Sequence, residues 1–174
     1  MKRFRTVIMV LCILSLIACS RGPARQTVNL DGAVKTLTSG GIFVYGKSSL
    51  PENAVVKGQL IELEGEKVYE EKKVSTDKDG SFTIEMKRPK LEHEYKLQVS
   101  FNPEDQEEQI KETFGDKGQY IKDDSEGFVE NMEDTGVSGI VKYDQIFKMV
   151  TKGETRQLGQ NSELNSSFEV IEME

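Results

Sequence analysis

Two stretches decide the fold class: Ser81-Phe82-Thr83-Ile84-Glu85-Met86-Lys87 and Tyr95-Lys96-Leu97-Gln98-Val99-Ser100-Phe101. In the first, Phe82, Ile84 and Met86 alternate with polar residues. In the second, Tyr95, Leu97, Val99 and Phe101 alternate with Lys96, Gln98 and Ser100. A period of two sends apolar side chains to one face of an extended chain and polar ones to the other, the pattern of half-buried antiparallel strands.

Upstream, the same reading extends to shorter runs. Ile42-Phe43-Val44-Tyr45 is a β-type run stopped by Gly46, and Pro51-Glu52-Asn53 is a turn. Val55 to Leu63 follows as a strand, with Gly58 as a bulge or a close-packing point. Glu64-Gly65-Glu66-Lys67 is a hairpin connection into Val68 through Val74, and Asp79-Gly80 predicts a hairpin turn into Ser81. Downstream, Asn102 can cap a helix over about 103–114, with Pro103 at its first position and Glu104 and Asp105 at the positive end of its dipole. Gln106, Ile110 and Phe114 share one face, and Gly115 stops the helix. Residues 116–137 read as an acidic, Gly-rich loop, Ile140 to Val150 as the strongest late strand, and Phe168 to Met173 as a closing strand. The expectation is a mainly-β antiparallel sandwich with one short helix over residues 41–174, a length that suits one core.

The N-terminus carries an address. Lys2, Arg3 and Arg5 form a basic region, and Thr6 to Ala18 form an apolar run too short for the ~20 residues of a membrane span. It ends in Leu16-Ile17-Ala18-Cys19, a pattern that resembles the bacterial lipoprotein cleavage site. Cys12 follows bulky Leu11 inside the apolar run and is no rival. The resemblance implies a signal peptide over 1–18, cut between Ala18 and Cys19. It also implies a diacylglycerol on Cys19 and residence on the extracytoplasmic face of the cell membrane, or on an outer membrane in a Gram-negative source. Two acyl chains anchor durably where one would bind only marginally. Residues 19–40, rich in Ser, Gly, Arg and Thr, read as a tether.

Composition removes several function classes. Cleavage before Cys19 takes three of the 23 basic residues and none of the 30 acidic ones, leaving a net charge of −10. Such a chain is repelled by nucleic acid. After cleavage Cys19 is the one cysteine left, so no disulfide, thiol nucleophile or Cys-ligated zinc is expected. His93 is the one histidine. It excludes a His-pair metal site, and its place between Glu92 and Glu94 reads as a solvated loop rather than a catalytic base.

One segment invites a metal reading and fails it. Asp77-Lys78-Asp79-Gly80 resembles part of a calcium loop, but Phe82 stands where the sixth-position Gly belongs and Arg88 where the bidentate Glu belongs. Ser75-Thr76-Asp77-Lys78-Asp79-Gly80-Ser81-Phe82-Thr83-Ile84 with Tyr95-Lys96-Leu97-Gln98-Val99 instead resembles the signature of carboxypeptidase-regulatory-like, transthyretin-like β-sandwich domains. The wider run, including Gly46-Lys47-Ser48-Ser49-Leu50-Pro51 and Phe114-Gly115-Asp116-Lys117-Gly118, is similar to Gram-positive surface lipoproteins. The resemblance covers about residues 42–121 and departs after residue 88. It implies an Ig-like or transthyretin-like sandwich and no catalytic set.

The carboxylate groups Glu104, Asp105, Glu107, Glu108 and Asp123, Asp124, Glu126 read as solvated surface. The functional expectation is a non-enzymatic envelope binding module without a cofactor, joined to the membrane through Cys19 and to an envelope protein partner. The alternatives are an envelope hydrolase working through an acidic pair, which as a retaining pair needs carboxyls about 5–5.5 Å apart in a cleft, and a small-ligand receptor with an apolar pocket of ~300 Å³ or more.

Overall fold

The computed structural model describes residues 23–63, 67–132, 134–148 and 154–159. Among them, nine strands build two antiparallel sheets. They are β1 (Leu30–Thr36), β2 (Gly41–Ser48), β3 (Val55–Glu62), β4 (Val68–Ser75), β5 (Ser81–Lys87), β6 (Tyr95–Phe101), β7 (Phe128–Met132), β8 (Val137–Ile146) and β9 (Glu154–Gln157). One sheet runs β5-β2-β1-β9 and the other β4-β3-β6-β8-β7. The helix expected over about 103–114 is two pieces: a 3-10 turn, Pro103–Asp105, which is what Asn102 caps, and the helix α1 (Glu108–Phe114), separated by the extended backbone of Gln106 and Glu107.

The two stretches that fix the fold class lie in opposite sheets and face each other. Phe82, Ile84 and Met86 of β5 meet Tyr95, Leu97, Val99 and Phe101 of β6 in one continuous core with Val34, Val44, Leu60 and Ile140. Gly58 is a close-packing point: a Cβ there would stand 3.0 Å from Ile84 Cδ1 and 3.4 Å from Met86 Cε of the facing sheet. The register of β3 with β4 shifts further on, where Leu60 and Ile61 pair with Glu70 and Val68 and Tyr69 of β4 is the extra residue.

Four more expectations need correction. β2 does not stop at Gly46 but runs to Ser48, because Phe82 on the neighbouring strand lies over the missing side chain. Asp79-Gly80 is a tight turn but not a hairpin: β4 pairs with β3, β5 pairs with β2, and the turn carries the chain from one sheet to the other. Residues 116–137 are not all loop, since they contain β7, whose irregular pairing with β8 hides its alternation. The span read as a tether, 19–40, holds β1, whose Leu30 and Val34 are at most 1 % exposed. The apolar residues of that span are too sparse to stand out, but Val28, Leu30 and Val34 are buried. Gln26 is already fixed, its N–H donating to the Tyr120 carbonyl at 2.6 Å and its carbonyl accepting from the Lys122 N–H at 2.8 Å. The expected strand over Phe168–Met173 lies outside the described residues, as do Met149 and Val150 of the late strand, which is described as Val137–Ile146.

The register gives the sandwich two distinct ends. Segment 23–29, the connections 49–54, 76–80 and 102–127, and the β7–β8 turn gather at one end, called the root because the chain enters there. The β1–β2, β3–β4, β5–β6 and β8–β9 connections gather at the other, the tip.

Candidate functional site

Ala18 and Cys19 lie outside the described residues. The first described residue, Pro23, is four positions from Cys19 in sequence and belongs to the root.

The motif at Thr76–Phe82 is used up by the fold. Thr76 is 2 % exposed; its hydroxyl donates to the Pro51 carbonyl at 2.5 Å and accepts from the Ala54 N–H at 3.0 Å, bracing the 51–54 turn. Gly80 adopts φ +78°, and a Cβ there would overlap the Ser48 carbonyl oxygen. Asp79 accepts from Ser81 N–H at 3.1 Å and pairs with Lys47 at 2.5 Å, and the Lys47 ammonium together with the Ser81 bonds holds its carboxyl well below the usual range. Asp77 and Asp79 both accept from the Ser81 hydroxyl, at 3.4 and 2.7 Å, and among the described residues no three His, Cys, Asp or Glu side chains form a metal-holding group.

The helical and loop carboxylates are surface groups. Glu104, Glu107, Glu108, Asp123, Asp124 and Glu126 are exposed, and Asp105 pairs with Lys73 at 3.1 Å. The helical face is structural. Gln106, Ile110 and Phe114 are buried, and the Gln106 side chain satisfies both backbone groups of Val55, accepting its N–H at 2.7 Å and donating to its carbonyl at 2.9 Å.

Charged groups that composition does not reveal lie between the sheets. Lys142 and Asp144 are on the core face of β8, between Ile140 and Ile146, at 4 % and 3 % exposure. Lys142 pairs with Glu126, and Asp144 faces Arg156 of β9 at 4.0 Å. The oxygen that faces Arg156, Oδ2, has no hydrogen-bond partner, and burial, only partly offset by Arg156, pushes the carboxyl up. Arg88, 3 % exposed, donates to the Phe147 carbonyl at 2.8 Å and the Leu37 carbonyl at 3.3 Å, tying the two sheets together at the tip. The alternation in Ile140-x-Lys142-x-Asp144-x-Ile146 is the signal that could have found the β8 pair.

The tip holds the open features. A cleft of about 400 Å³ is lined by Glu62, Leu63, Glu92, His93, Glu94 and Lys148. Glu62 accepts the Tyr69 hydroxyl at 2.8 Å, which pushes that phenol up, and Glu94 accepts from the Gln145 amide at 3.0 Å. His93 stands 4.0 Å from Glu62 and stacks on Tyr95 with ring centres 6.5 Å apart. A second groove, about 650 Å³, opens beside the tip along the seam where β4 passes β5. Leu37, Phe43, Val74 and Met86 contribute apolar wall to it, with Glu70, Lys72, Glu85 and Lys87 as charged rim. The Glu70 carboxylate accepts the Lys87 N–H at 2.8 Å there, standing in for a ladder bond. Of the four large apolar residues most exposed among those described, Val68, Leu91 and Phe147 are at the tip; the fourth, Tyr45, stacks against Phe43 on the outer face of β2.

Charge divides along the same axis. By sequence, the root segments carry 14 acidic and five basic residues, while the tip connections 37–40, 62–67, 88–94 and 147–153 carry five of each. Comparison with known proteins adds no name to this geometry: no family model, no curated protein and no solved structure matches the chain.

Proposed function

We propose that the protein is a lipid-anchored, extracytoplasmic binding module, non-enzymatic, held to the membrane through Cys19 and presenting its tip to an envelope protein. The observation that carries this reading is the separation of roles between the ends. The chain leaves the presumed anchor at the root, while the cleft, the seam groove and three exposed apolar side chains lie at or beside the opposite end. Exposed apolar side chains are informative where they share one part of the surface, and Val68, Leu91 and Phe147 share the tip, which supports reading it as a contact surface. The resemblance of Thr76–Phe82 and Tyr95–Val99 to regulatory-like and transthyretin-like sandwiches supports the same class, since every motif residue placed above serves the fold.

Growth with a labelled fatty acid tests the anchor. The wild-type chain takes up label and sediments with membranes, and Cys19→Ala takes up none and is released. Continued labelling of the variant would overturn the anchor. Hydrolysis of envelope glycans by the purified mature domain would replace binding by catalysis.

A further inference from the structure

The leash between anchor and domain is short. Gln26 is clamped between Tyr120 and Lys122, and the Val28 N–H donates to Ser125 Oγ at 3.0 Å with Val28 fully buried. Only Ser20 to Arg25 separate Cys19 from this clamp, a contour of at most ~25 Å at ~3.6 Å per residue. The longest strand, β8, has ten residues, which adds ~33 Å at ~3.3 Å per residue. The tip therefore reaches roughly 60–70 Å above the bilayer, allowing for loops.

The root is also the acidic end, with 14 acidic against five basic residues. An anionic leaflet repels such a face within a Debye length of ~8 Å at physiological salt. Where the outer leaflet is anionic, this repulsion disfavours a root lying flat on the lipid and leaves the balanced tip outward at a limited height.

Resting on the anchored reading above, we infer that the tip's partner is a protein carried by the same membrane. Its docking face offers an apolar side chain to Leu91 and Phe147 and a basic group to the carboxylates of the Glu62–Glu94 cleft. Leu91 and Phe147 are 45 % and 40 % exposed, and three carboxylates against Lys148 give the cleft an acidic lining. Partners beyond this height, at the outside of a thick wall, are out of reach. A partner sharing the membrane gains effective concentration from the common tether with no added contact.

The test is photo-crosslinking in intact cells, with the full chain carrying a photoreactive amino acid at Leu91, at Phe147 or, as the root control, at Glu108. The expected result is one adduct shared by the two tip positions and absent at Glu108. Mass spectrometry should show that its second chain has a membrane-spanning segment or a lipid of its own. In a Cys19→Ala background its yield should fall at least tenfold. No tip adduct, an adduct with a chain lacking membrane attachment, or an undiminished yield from a released Cys19→Ala chain would each overturn the inference. If Cys19→Ala instead stays lipid-labelled, the anchored reading itself has failed, so the two failures are told apart.

Discussion

At the scale of single residues, the interior charge on β8 makes the sharpest prediction. Asp144 is buried with Oδ2 at 4.0 Å from Arg156 and without a hydrogen bond, and its carboxyl is pushed up from 3.8 by burial. The folded state therefore holds this proton to a higher pH than the unfolded chain does. Asp144 contributes its full stability below the ordinary carboxylate range and loses it as pH rises through the raised folded value. Asp144→Asn keeps the acceptor for Gln145 N–H, which lies at 2.8 Å in the wild type, while removing the buried charge. Chemical denaturation should find it more stable than wild type at pH 7 by about 1 kcal/mol. The gap should close toward pH 3. A wild-type advantage at pH 7 would show that Arg156 more than offsets the burial.

At the scale of elements, Gln106 shows how a short helix is attached to a sheet. The 3-10 turn and α1 could sit on the sandwich through Ile110 and Phe114 alone, but β3 begins at Val55 with its backbone facing the helix approach. The Gln106 amide answers both groups of Val55 and also donates to the Asn102 carbonyl at 2.8 Å. Gln106→Ala would strand a buried donor and acceptor, for an expected loss of about 2–3 kcal/mol in urea denaturation. Gln109→Ala, on the exposed side of the same helix, should change stability by less than about 0.5 kcal/mol. A similar logic governs β2, where Gly46 lies under the Phe82 ring. Gly46→Ala would push that ring from the core, with an expected cost of about 2–4 kcal/mol.

β5 and β6 were legible because their alternation is clean, and α1 through its apolar pair Ile110 and Phe114 and its stop at Gly115. The predicted cap Asn102 instead serves the 3-10 turn, and α1 has Glu107 at its N-cap position with no side-chain cap. β7 was not: two of its five residues are apolar and half-buried, one is buried, and the pairing shifts register between Val129 and Met132. β1 was hidden because Gly32 and Ala33 interrupt its apolar pattern and the flanking Thr and Gly read as linker. The sheet exchange at Asp79-Gly80 was invisible, since a turn between strands looks the same in sequence whether or not they pair. The tip escaped for another reason: exposed Leu91 and Phe147 become informative only once the register shows which loops meet.

At the scale of the whole molecule, moving the start of the domain changes what the protein can do. With a leash running to residue 40, the domain would wander from the proposed anchor; with a clamp at Gln26, it would stand close to it. Val28, Leu30 and Val34 are each at most 1 % exposed, so removing them forfeits about 1.5–3 kcal/mol apiece in burial. Their loss also strips the partner strand from both β2 and β9. A chain beginning at Pro23 should unfold in one cooperative transition, whereas a chain beginning at Gly41 should show no folded baseline by near-ultraviolet circular dichroism. If the Gly41 chain folds, residues 23–40 are a tether after all, the reach of the tip lengthens by up to ~50 Å of contour at ~3.6 Å per residue, and the restriction to partners in the same membrane falls with it. The folding of two truncated chains thus decides how far from the bilayer this surface can act.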